Sequence, residues 1–232
     1  MHLFYETDLS PESIQLSPEE AKHCRSLRIK KGDIVYLTDG YGNLCKTEIT
    51  ADERYNFHVR ILHRQKEYNR RTFNIHIAIS PTKNPDRMEW FLEKVTEIGI
   101  DEITPILCEH TEKTHVNTER FRKIIISAMK QSFSAYLPKL NSKTTFRDFV
   151  EKAGENQKFI AYCGGKASLH LNSGYKKNQN VRILIGPEGD FTAEEVAFAE
   201  KNGFVLITLG KNRLRTETAG IMACSIINIM NT

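Results

Sequence analysis

The sequence contains no long apolar run and no closely spaced pair of cysteines. None of its apolar stretches approaches the roughly 20 residues that a transmembrane helix needs, so insertion into a membrane is not expected. Its five cysteines lie far apart and form no Cys-x-x-Cys pair, so a disulfide framework is not expected. The first residues, MHLFYETD, lack both the basic segment and the apolar core of a signal peptide. Together these absences predict a cytoplasmic protein.

The motifs of several enzyme classes are also missing. There is no GxxxxGK[S/T] loop, no GxGxxG turn before a helix and no GxSxG elbow, which argues against P-loop NTPases, dinucleotide enzymes and α/β-hydrolases. Cys108, His110 and His115 are close in sequence, but their spacing fits no familiar zinc pattern. We therefore expect no metal site.

The charge and length of the chain set only broad limits. A formal net charge of +4 permits a nucleic-acid partner without requiring one. At 232 residues the chain can hold one large domain or two small ones with a proper core. Any affinity for RNA must therefore come from local clusters of basic residues.

The first seventy residues have the pattern of a small β-rich domain. Asp33–Thr38 and Leu44–Thr50 alternate apolar and polar residues, and the DGYGN segment between them is a hairpin turn. Further short strands of this kind predict a small barrel. A basic corner, His23–Gly32, could contact phosphates, although a solvated run of charge explains it equally well. Its candidate RNA contacts are Arg25, Arg28, Lys30 and Lys31.

The rest of the chain alternates strand-like and helix-like segments. Lys66–Arg71 is a polar linker, and Phe73–Ile79 after it has the composition of a strand. Asp86 is the expected cap of a helix with an apolar stripe at helical spacing. The stripe consists of Met88, Phe91, Leu92, Val95 and Ile98. Alternation of this kind predicts an α/β layer with parallel strands.

Two glycine-bearing loops near the end of the chain each follow a short apolar run. Val181–Ile185 has the length and branched composition of a buried strand, and the loop GPEGD follows it at once. Phe204–Leu209 is a second such strand and ends at Gly210. A cationic loop then leads to Thr216, the expected cap of the last helix.

A third loop of the same kind, Gly164–Gly165, follows the apolar run Phe159–Cys163. The carboxyl ends of parallel strands meet at one edge of a sheet, so a ligand is expected where these loops meet. Glycines that only turn the chain are the alternative. Acidic and cationic residues in adjacent loops favour the binding site, because binding groups concentrate on loops that a rigid scaffold holds.

Three motifs, taken together, resemble one family. Lys83–Gly99 reads KNPDRMEWFLEKVTEIG, Leu184–Asp190 reads LIGPEGD and Leu209–Ala219 reads LGKNRLRTETA. In this order, and with similarity over nearly all 232 residues, the sequence resembles the RsmE-type ribosomal RNA uridine-N3 methyltransferases of the SPOUT superfamily.

The resemblance implies a fold and a reaction. A PUA-like β-barrel RNA-binding domain would occupy residues 1–70, and an α/β SPOUT methyltransferase domain with a C-terminal trefoil knot would occupy residues 71–232. The enzyme would be a homodimer that binds S-adenosylmethionine in the knot and uses no metal. It would methylate N3 of one uridine in the decoding region of 16S rRNA, in the small ribosomal subunit. Because N3 lies on the pairing edge, that uridine must be unpaired or splayed out.

The resemblance also assigns site residues. Its cofactor loops correspond to Cys163, Gly164, Gly165, Ile185, Gly186, Pro187, Glu188, Gly189, Leu209, Gly210, Leu214 and Thr216. Arg213 is a further candidate RNA contact, and Arg87 would reach either RNA or the site of the partner subunit.

Two residues are assigned to catalysis. Arg215 would stabilise the uridine anion or a nearby backbone phosphate, and Glu217 or a water would help to remove the N3 proton. Two simpler roles stay open. Glu217 would then only supply a favourable charge at a helix start, and Arg87 would only form a surface salt bridge.

Four positions depart from the usual pattern of that family. Asp190 stands where a further glycine is common, and Lys130 stands where an acid usually precedes the Gln-Ser pair. Ser134 and Leu3 each stand where an arginine is common. Because of these departures, two other functions stay open: a catalytically inactive RNA-binding assembly factor of the same fold, and a SPOUT methyltransferase that acts on another RNA.

Overall fold

The computed structural model describes residues 1–53, 56–154, 157–165 and 169–232, and the chain divides into two units. The first unit is Met1–Arg70 together with Ile126–Leu137. The second unit is Arg71–Ile125 together with Pro138–Thr232. The helix at Thr118–Gln131 therefore contributes residues to both units.

The described residues of the first unit form a five-stranded sheet, a helix near the amino end of the chain and the end of the helix at Thr118–Gln131. Its elements are β1 (Leu3–Tyr5), β2 (Ser13–Gln15), α1 (Pro18–Ser26), β3 (Ile34–Thr38), β4 (Leu44–Glu53) and β5 (Asn56–Gln65). The strand order is β1-β3-β4-β5-β2, and only the β1–β3 pair is parallel among the pairs of this sheet. Phe4, Leu37 and Val59 are fully buried in its core, as the alternation of apolar residues requires.

The segment 126–137 completes the first unit from later in the chain. The Ala135 carbonyl oxygen accepts hydrogen bonds from the Thr38 hydroxyl (3.1 Å) and the Gly42 amide (2.8 Å). Ala135 is also buried in one apolar cluster with Leu3 and Leu44. Local sequence pattern gave no sign of this grouping, because its partners are about 90 residues or more away in the chain.

The second unit contains a parallel sheet with helices between its strands. Its elements are β6 (Ile75–Ile79), α2 (Pro85–Ile98), β7 (Glu102–Leu107), α3 (Thr118–Gln131), β8 (Lys139–Leu140), β9 (Thr144–Thr145), α4 (Phe146–Glu151), β10 (Gln157–Ala161), α5 (Leu171–Gly174), β11 (Val181–Ile185), α6 (Ala193–Lys201), β12 (Val205–Ile207) and α7 (Thr216–Asn231). The strand order is β12-β10-β11-β6-β7-β8, and β9 also pairs with β7. All of these pairs are parallel, which confirms the predicted α/β layer.

Helix α2 begins two residues earlier than its sequence pattern predicts. The side chain of Asn84 accepts a hydrogen bond from the Asp86 amide, so Asn84 is the N-cap residue. Pro85 lies in the first turn, where a backbone N–H would have no acceptor within the helix. The prediction of Asp86 as the cap was therefore wrong. Met88 and Phe91 are buried as predicted, together with Leu92 and Val95. Ile98, the last member of the predicted stripe, is exposed instead.

Strand β10 lies between β12 and β11, so the three predicted glycine loops leave the sheet side by side. Phe159–Ala161 of β10 pairs with Val205–Ile207 of β12 on one side, and Ala161 pairs with Ile185 of β11 on the other. The same edge of the sheet therefore carries all three loops. The trefoil knot stays a prediction.

Candidate active site

A cavity of about 680 Å³ opens at the carboxyl ends of β10, β11 and β12. Its walls are the three glycine-bearing loops and the first turns of α7. We call them the first loop (162–165), the second loop (186–190) and the third loop (208–215). The predicted meeting point of the loops is thus a real cavity of the size that small-molecule ligands occupy.

The first loop exposes its main chain to the cavity at two glycines, and the ring of Tyr162 lies close to Gly164. A Cβ atom added to Gly164 would overlap the ring of Tyr162, so a larger residue there would require that ring to move. Both Gly164 and Gly165 are exposed, and both line the cavity. The main chain of this loop is therefore accessible to a ligand.

The second loop is a tight turn that ends at Asp190. The Asp190 amide donates a hydrogen bond to the Pro187 carbonyl at 2.9 Å. Gly186, Pro187, Glu188 and Asp190 line the cavity. Gly189 faces away from it, because a Cβ atom there would lie 3.0 Å from the Cβ atom of His110.

The third loop is tied to the second by a cationic side chain. Arg213 donates a hydrogen bond from Nη2 to the Glu188 carbonyl at 3.1 Å. Gly210 has φ +145°, a backbone conformation that favours glycine, and it also lines the cavity. Arg213 was predicted as an RNA contact, and the structure places it in the cavity wall.

Helix α7 begins at the cavity, one residue before the predicted start. Arg215 is the N-cap residue, without a side-chain capping bond, and Thr216 is the first helical residue. The Thr216 hydroxyl instead donates to the Gly186 carbonyl at 3.0 Å, which connects the helix start to the second loop. The prediction that Thr216 caps the helix was therefore wrong. Thr216 does line the cavity.

The structure brings most of the predicted site residues together. The members that line the cavity are Cys163, Gly164, Gly165, Ile185, Gly186, Pro187, Glu188, Leu209, Gly210, Arg213, Leu214, Arg215 and Thr216. Gly189, Glu217 and Arg87 do not line it. The basic corner belongs to the first unit, where Arg25, Arg28, Lys30 and Lys31 are all exposed.

Glu217 is a buried carboxylate in the first turn of α7. Its side chain is only 6% exposed, and its Oε1 lies 3.8 Å from Nε of Arg87 on α2. Its Oε2 is buried without a hydrogen-bond partner among the residues that the structure describes. A helix start favours negative charge, so the fold itself stabilises this carboxylate. The surface salt bridge considered for Arg87 is in fact an ion pair with a buried partner.

Potential metal ligands are not clustered in the described part of the chain. Across residues 1–53, 56–154, 157–165 and 169–232, no group of three or more His, Cys, Asp and Glu side chains could hold a metal ion. Burial raises the pKa of the Cys108 thiol well above its ordinary value, so this sulfur is a poor thiolate ligand.

Several cavity residues were missed as individual predictions. They are Ala161, Tyr162, Asp190, Ile207, Thr208, Lys211, Asn212 and Ala219. Lys211 and Asn212 lie inside the predicted third-loop segment, so the loop boundary already pointed to them. Tyr162 carried no signal in the sequence, because its role depends on the close approach to Gly164.

The family comparison agrees with this geometry. The family model described as an RNA methyltransferase domain matches residues 69–228, and a model described as an RNA methyltransferase PUA domain matches residues 16–62. This chain belongs to the RNA methyltransferase family. The first match includes all three loops of the cavity, and the second includes the basic corner.

Curated relatives are similar over most of their length. The ribosomal RNA small subunit methyltransferase E of Synechocystis sp. is 29% identical, over 89% of this chain and 69% of that protein. The protein of the same name from Mesomycoplasma hyopneumoniae is 27% identical, over 95% of this chain and 96% of that protein.

Solved structures of this RNA methyltransferase family share the whole fold. A probable rRNA-methyltransferase from Porphyromonas gingivalis is 38% identical with a TM-score of 0.92, over 100% of this chain and 98% of that one. The ribosomal RNA small subunit methyltransferase E from Neisseria gonorrhoeae, bound to S-adenosylmethionine, is 28% identical with the same TM-score and coverage. The likeness confirms a PUA-like first domain and an α/β methyltransferase domain.

No helix in the described part of the chain is long and apolar enough to cross a membrane.

Proposed function

We propose that this protein is an S-adenosylmethionine-dependent methyltransferase that modifies N3 of one uridine in the decoding region of 16S rRNA. Membership of the RNA methyltransferase family and the names of its relatives support this proposal. The observation that carries it is the glycine-lined cavity at the carboxyl ends of β10, β11 and β12. Residues 71–232 would carry out the chemistry, and residues 1–70 would bind RNA. Because ribosomal subunits are cytoplasmic, we place the enzyme there.

The cavity fits a nucleoside cofactor that has no phosphates. Exposed glycine main chain at Gly164 and Gly165 allows an adenine or ribose edge to approach closely. When it is bound, S-adenosylmethionine supplies an electrophilic methyl group. The protein then has to place the uridine in line with that group and stabilise its deprotonated form.

Arg215 is the proposed stabiliser of the uridine anion. It is exposed, it lines the cavity, and it lies at the amino end of α7, whose dipole adds to its positive charge. Arg213 and Lys211 line the same wall, and we assign Arg213 to RNA backbone contact.

Because Glu217 does not line the cavity, it is proposed to help to remove the N3 proton through a water. The unpartnered Oε2 supports this role, and the ion pair with Arg87 supports a purely structural one. The variant Glu217→Gln keeps the shape and removes the charge. We expect it to lower kcat by about 100-fold, as loss of a general base does. Normal turnover of Glu217→Gln, measured with saturating cofactor and RNA, would exclude the acid–base role.

The proposed homodimer has a candidate surface on two helices that pack together. Helix α2 leaves Trp90 and Ile98 exposed, and α7 leaves Met222 and Ile229 exposed. Met222 and Ile229 are seven residues apart, so they lie on one face of α7. Large apolar side chains on neighbouring helices are typical of a subunit interface.

The deciding experiment is methyl transfer to small ribosomal subunits that lack the modification. Purified protein is incubated with labelled S-adenosylmethionine and these subunits, and the rRNA is mapped by mass. We expect one methyl group on N3 of a single uridine. Binding of RNA without transfer would instead indicate an inactive assembly factor, and transfer only to tRNA would indicate a different RNA substrate.

A further inference from the structure

Asp190 lines the cavity in a backbone conformation that usually belongs to glycine. Its φ is +64°, in the left-handed region. Apart from glycine, asparagine and aspartate are the residues that adopt this conformation most readily. This chain therefore keeps the shape of the second loop and adds a carboxylate to the cavity wall.

That carboxylate joins the first loop to the second. Its Oδ2 accepts a hydrogen bond from the Cys163 amide at 3.1 Å, and its Oδ1 accepts one from the Phe191 amide at 2.9 Å. Hydrogen bonds to an ionised acceptor are stronger than neutral ones. Because Cys163 follows β10 and Asp190 follows β11, one side chain connects the loops of two neighbouring strands.

The main chain on either side of Asp190 is well anchored. Its amide donates to the Pro187 carbonyl, and its carbonyl accepts from Nδ1 of His110 at 3.0 Å. Thr192 and Glu195 form a reciprocal capping box that begins α6 two residues later. The first loop, by contrast, contains the exposed glycines Gly164 and Gly165. Asp190 therefore connects an anchored turn to a loop that contains two exposed glycines.

We propose that Asp190 is a positioning residue for the cofactor. Its bond to the Cys163 amide holds the first loop in the binding conformation before the cofactor arrives. A loop that is already ordered loses less conformational freedom on binding, so the bond raises affinity. The proposal rests on the proposed use of S-adenosylmethionine by the same cavity.

Two substitutions separate the hydrogen bond from the backbone shape. Asp190→Gly accepts φ +64° without strain but removes the acceptor, whereas Asp190→Asn tolerates the same φ and keeps an amide oxygen. We expect Asp190→Gly to bind S-adenosylmethionine about tenfold more weakly by calorimetry, the equivalent of ~1.4 kcal/mol. Asp190→Asn should stay within about threefold of the natural protein, because it retains most of that hydrogen bond. In turnover, KM for the cofactor should rise more than kcat falls.

A second measurement uses the protein without cofactor. Hydrogen exchange of the Cys163 amide, followed by NMR, should be about tenfold faster in Asp190→Gly than in Asp190→Asn, because only the latter keeps an acceptor. Equal exchange in the two variants, or equal cofactor affinity of Asp190→Gly and the natural protein, would overturn the proposal. Absence of any binding by the natural protein would contradict the proposed function, while the exchange comparison would still test the loop contact.

Discussion

At four positions where a departure from the resembled family was predicted, the side chain has a neighbour that is visible only in the folded chain. Leu3 is buried in an apolar cluster, where an arginine would lack water. Lys130 is paired with the buried Glu20 at 2.6 Å between Nζ and Oε1. Ser134 accepts a hydrogen bond from the Tyr136 amide, and Asp190 holds the first loop. Because Lys130 and Glu20 are 110 residues apart, no local pattern could have paired them.

The Lys130–Glu20 pair gives a prediction about stability. Lys130→Met leaves the buried Glu20 carboxylate with only the His23 ring, 3.6 Å from its Oε2, as a basic neighbour, and we expect a loss of about 3 kcal/mol in the free energy of unfolding. The double variant Glu20→Gln with Lys130→Met removes both charges and should recover most of that loss. Urea unfolding of the full chain measures both values.

An exposed ion pair provides the control for this prediction. Lys139 pairs with Glu102, but its side chain is 71% exposed, so Lys139→Met should change stability by less than about 1 kcal/mol. The prediction is contradicted if the double variant is no more stable than Lys130→Met. The loss in Lys130→Met would then not come from the unpaired Glu20 carboxylate.

At the scale of elements, the amino ends of three strands share a buried polar network. His76 on β6 pairs in register with Glu102 on β7 and with Arg182 on β11. Its Nε2 lies 2.8 Å from the Thr104 hydroxyl, and its Nδ1 lies 3.4 Å from Glu102. Burial lowers the pKa of His76 to about 4, although the Glu102 carboxylate opposes this shift. The ring is therefore neutral in the folded protein near neutral pH.

This network predicts a loss of stability in mild acid. The pKa of His76 falls from 6.5 in the unfolded chain to about 4 in the fold, so between these values the unfolded chain binds the additional proton. Stability should then fall as the pH drops from 6.5 towards 4, by about 2 kcal/mol at pH 5. Urea unfolding at pH 7.5 and pH 5 measures this loss. His76→Gln has no side chain that titrates in this range, so its free energy of unfolding should fall by about 2 kcal/mol less between pH 7.5 and pH 5 than that of the natural protein. Equal losses in the two proteins would show that His76 does not cause the acid sensitivity.

Elements were predictable from sequence where their signals are local. Val181–Ile185 is a strand with the predicted boundaries, because a short branched run between polar turns has few other folds. The starts of α2 and α7 were misplaced by one or two residues, since the cap depends on side-chain bonds that the sequence pattern does not rank. The sequence predicted the third loop as a continuous segment. It did not predict that Tyr162 lines the cavity, because this depends on how the first loop folds around Gly164.

At the scale of the whole molecule, the net charge of +4 is too small to account for RNA binding by itself. The basic corner of the first unit concentrates exposed cations in a short segment, where Arg28 has φ +58° just after the end of α1. Sequence alone identified these cations but could not distinguish a binding surface from a solvated one. Their effect has to be measured against an equal charge elsewhere.

We expect Lys31→Ala to weaken RNA binding and to reduce the slope of log affinity against log salt concentration by about 1, because one phosphate contact is lost. Lys177→Ala removes the same charge from an exposed turn in the second unit and should leave the slope unchanged. Filter binding of rRNA fragments across a salt series measures both slopes. Identical slopes for the two variants would remove the basic corner from the proposed RNA surface.

The late segment 126–137 also sets the order of events during synthesis. After β5 and the linker have been made, a ribosome that adds about 5 to 20 residues per second needs about 3 to 13 s to add residues 71–137. During that time Leu3 and Leu44 have no Ala135 to cover them. The apolar cluster of Leu3 and Leu44 is therefore completed only when more than half of the polypeptide has been translated.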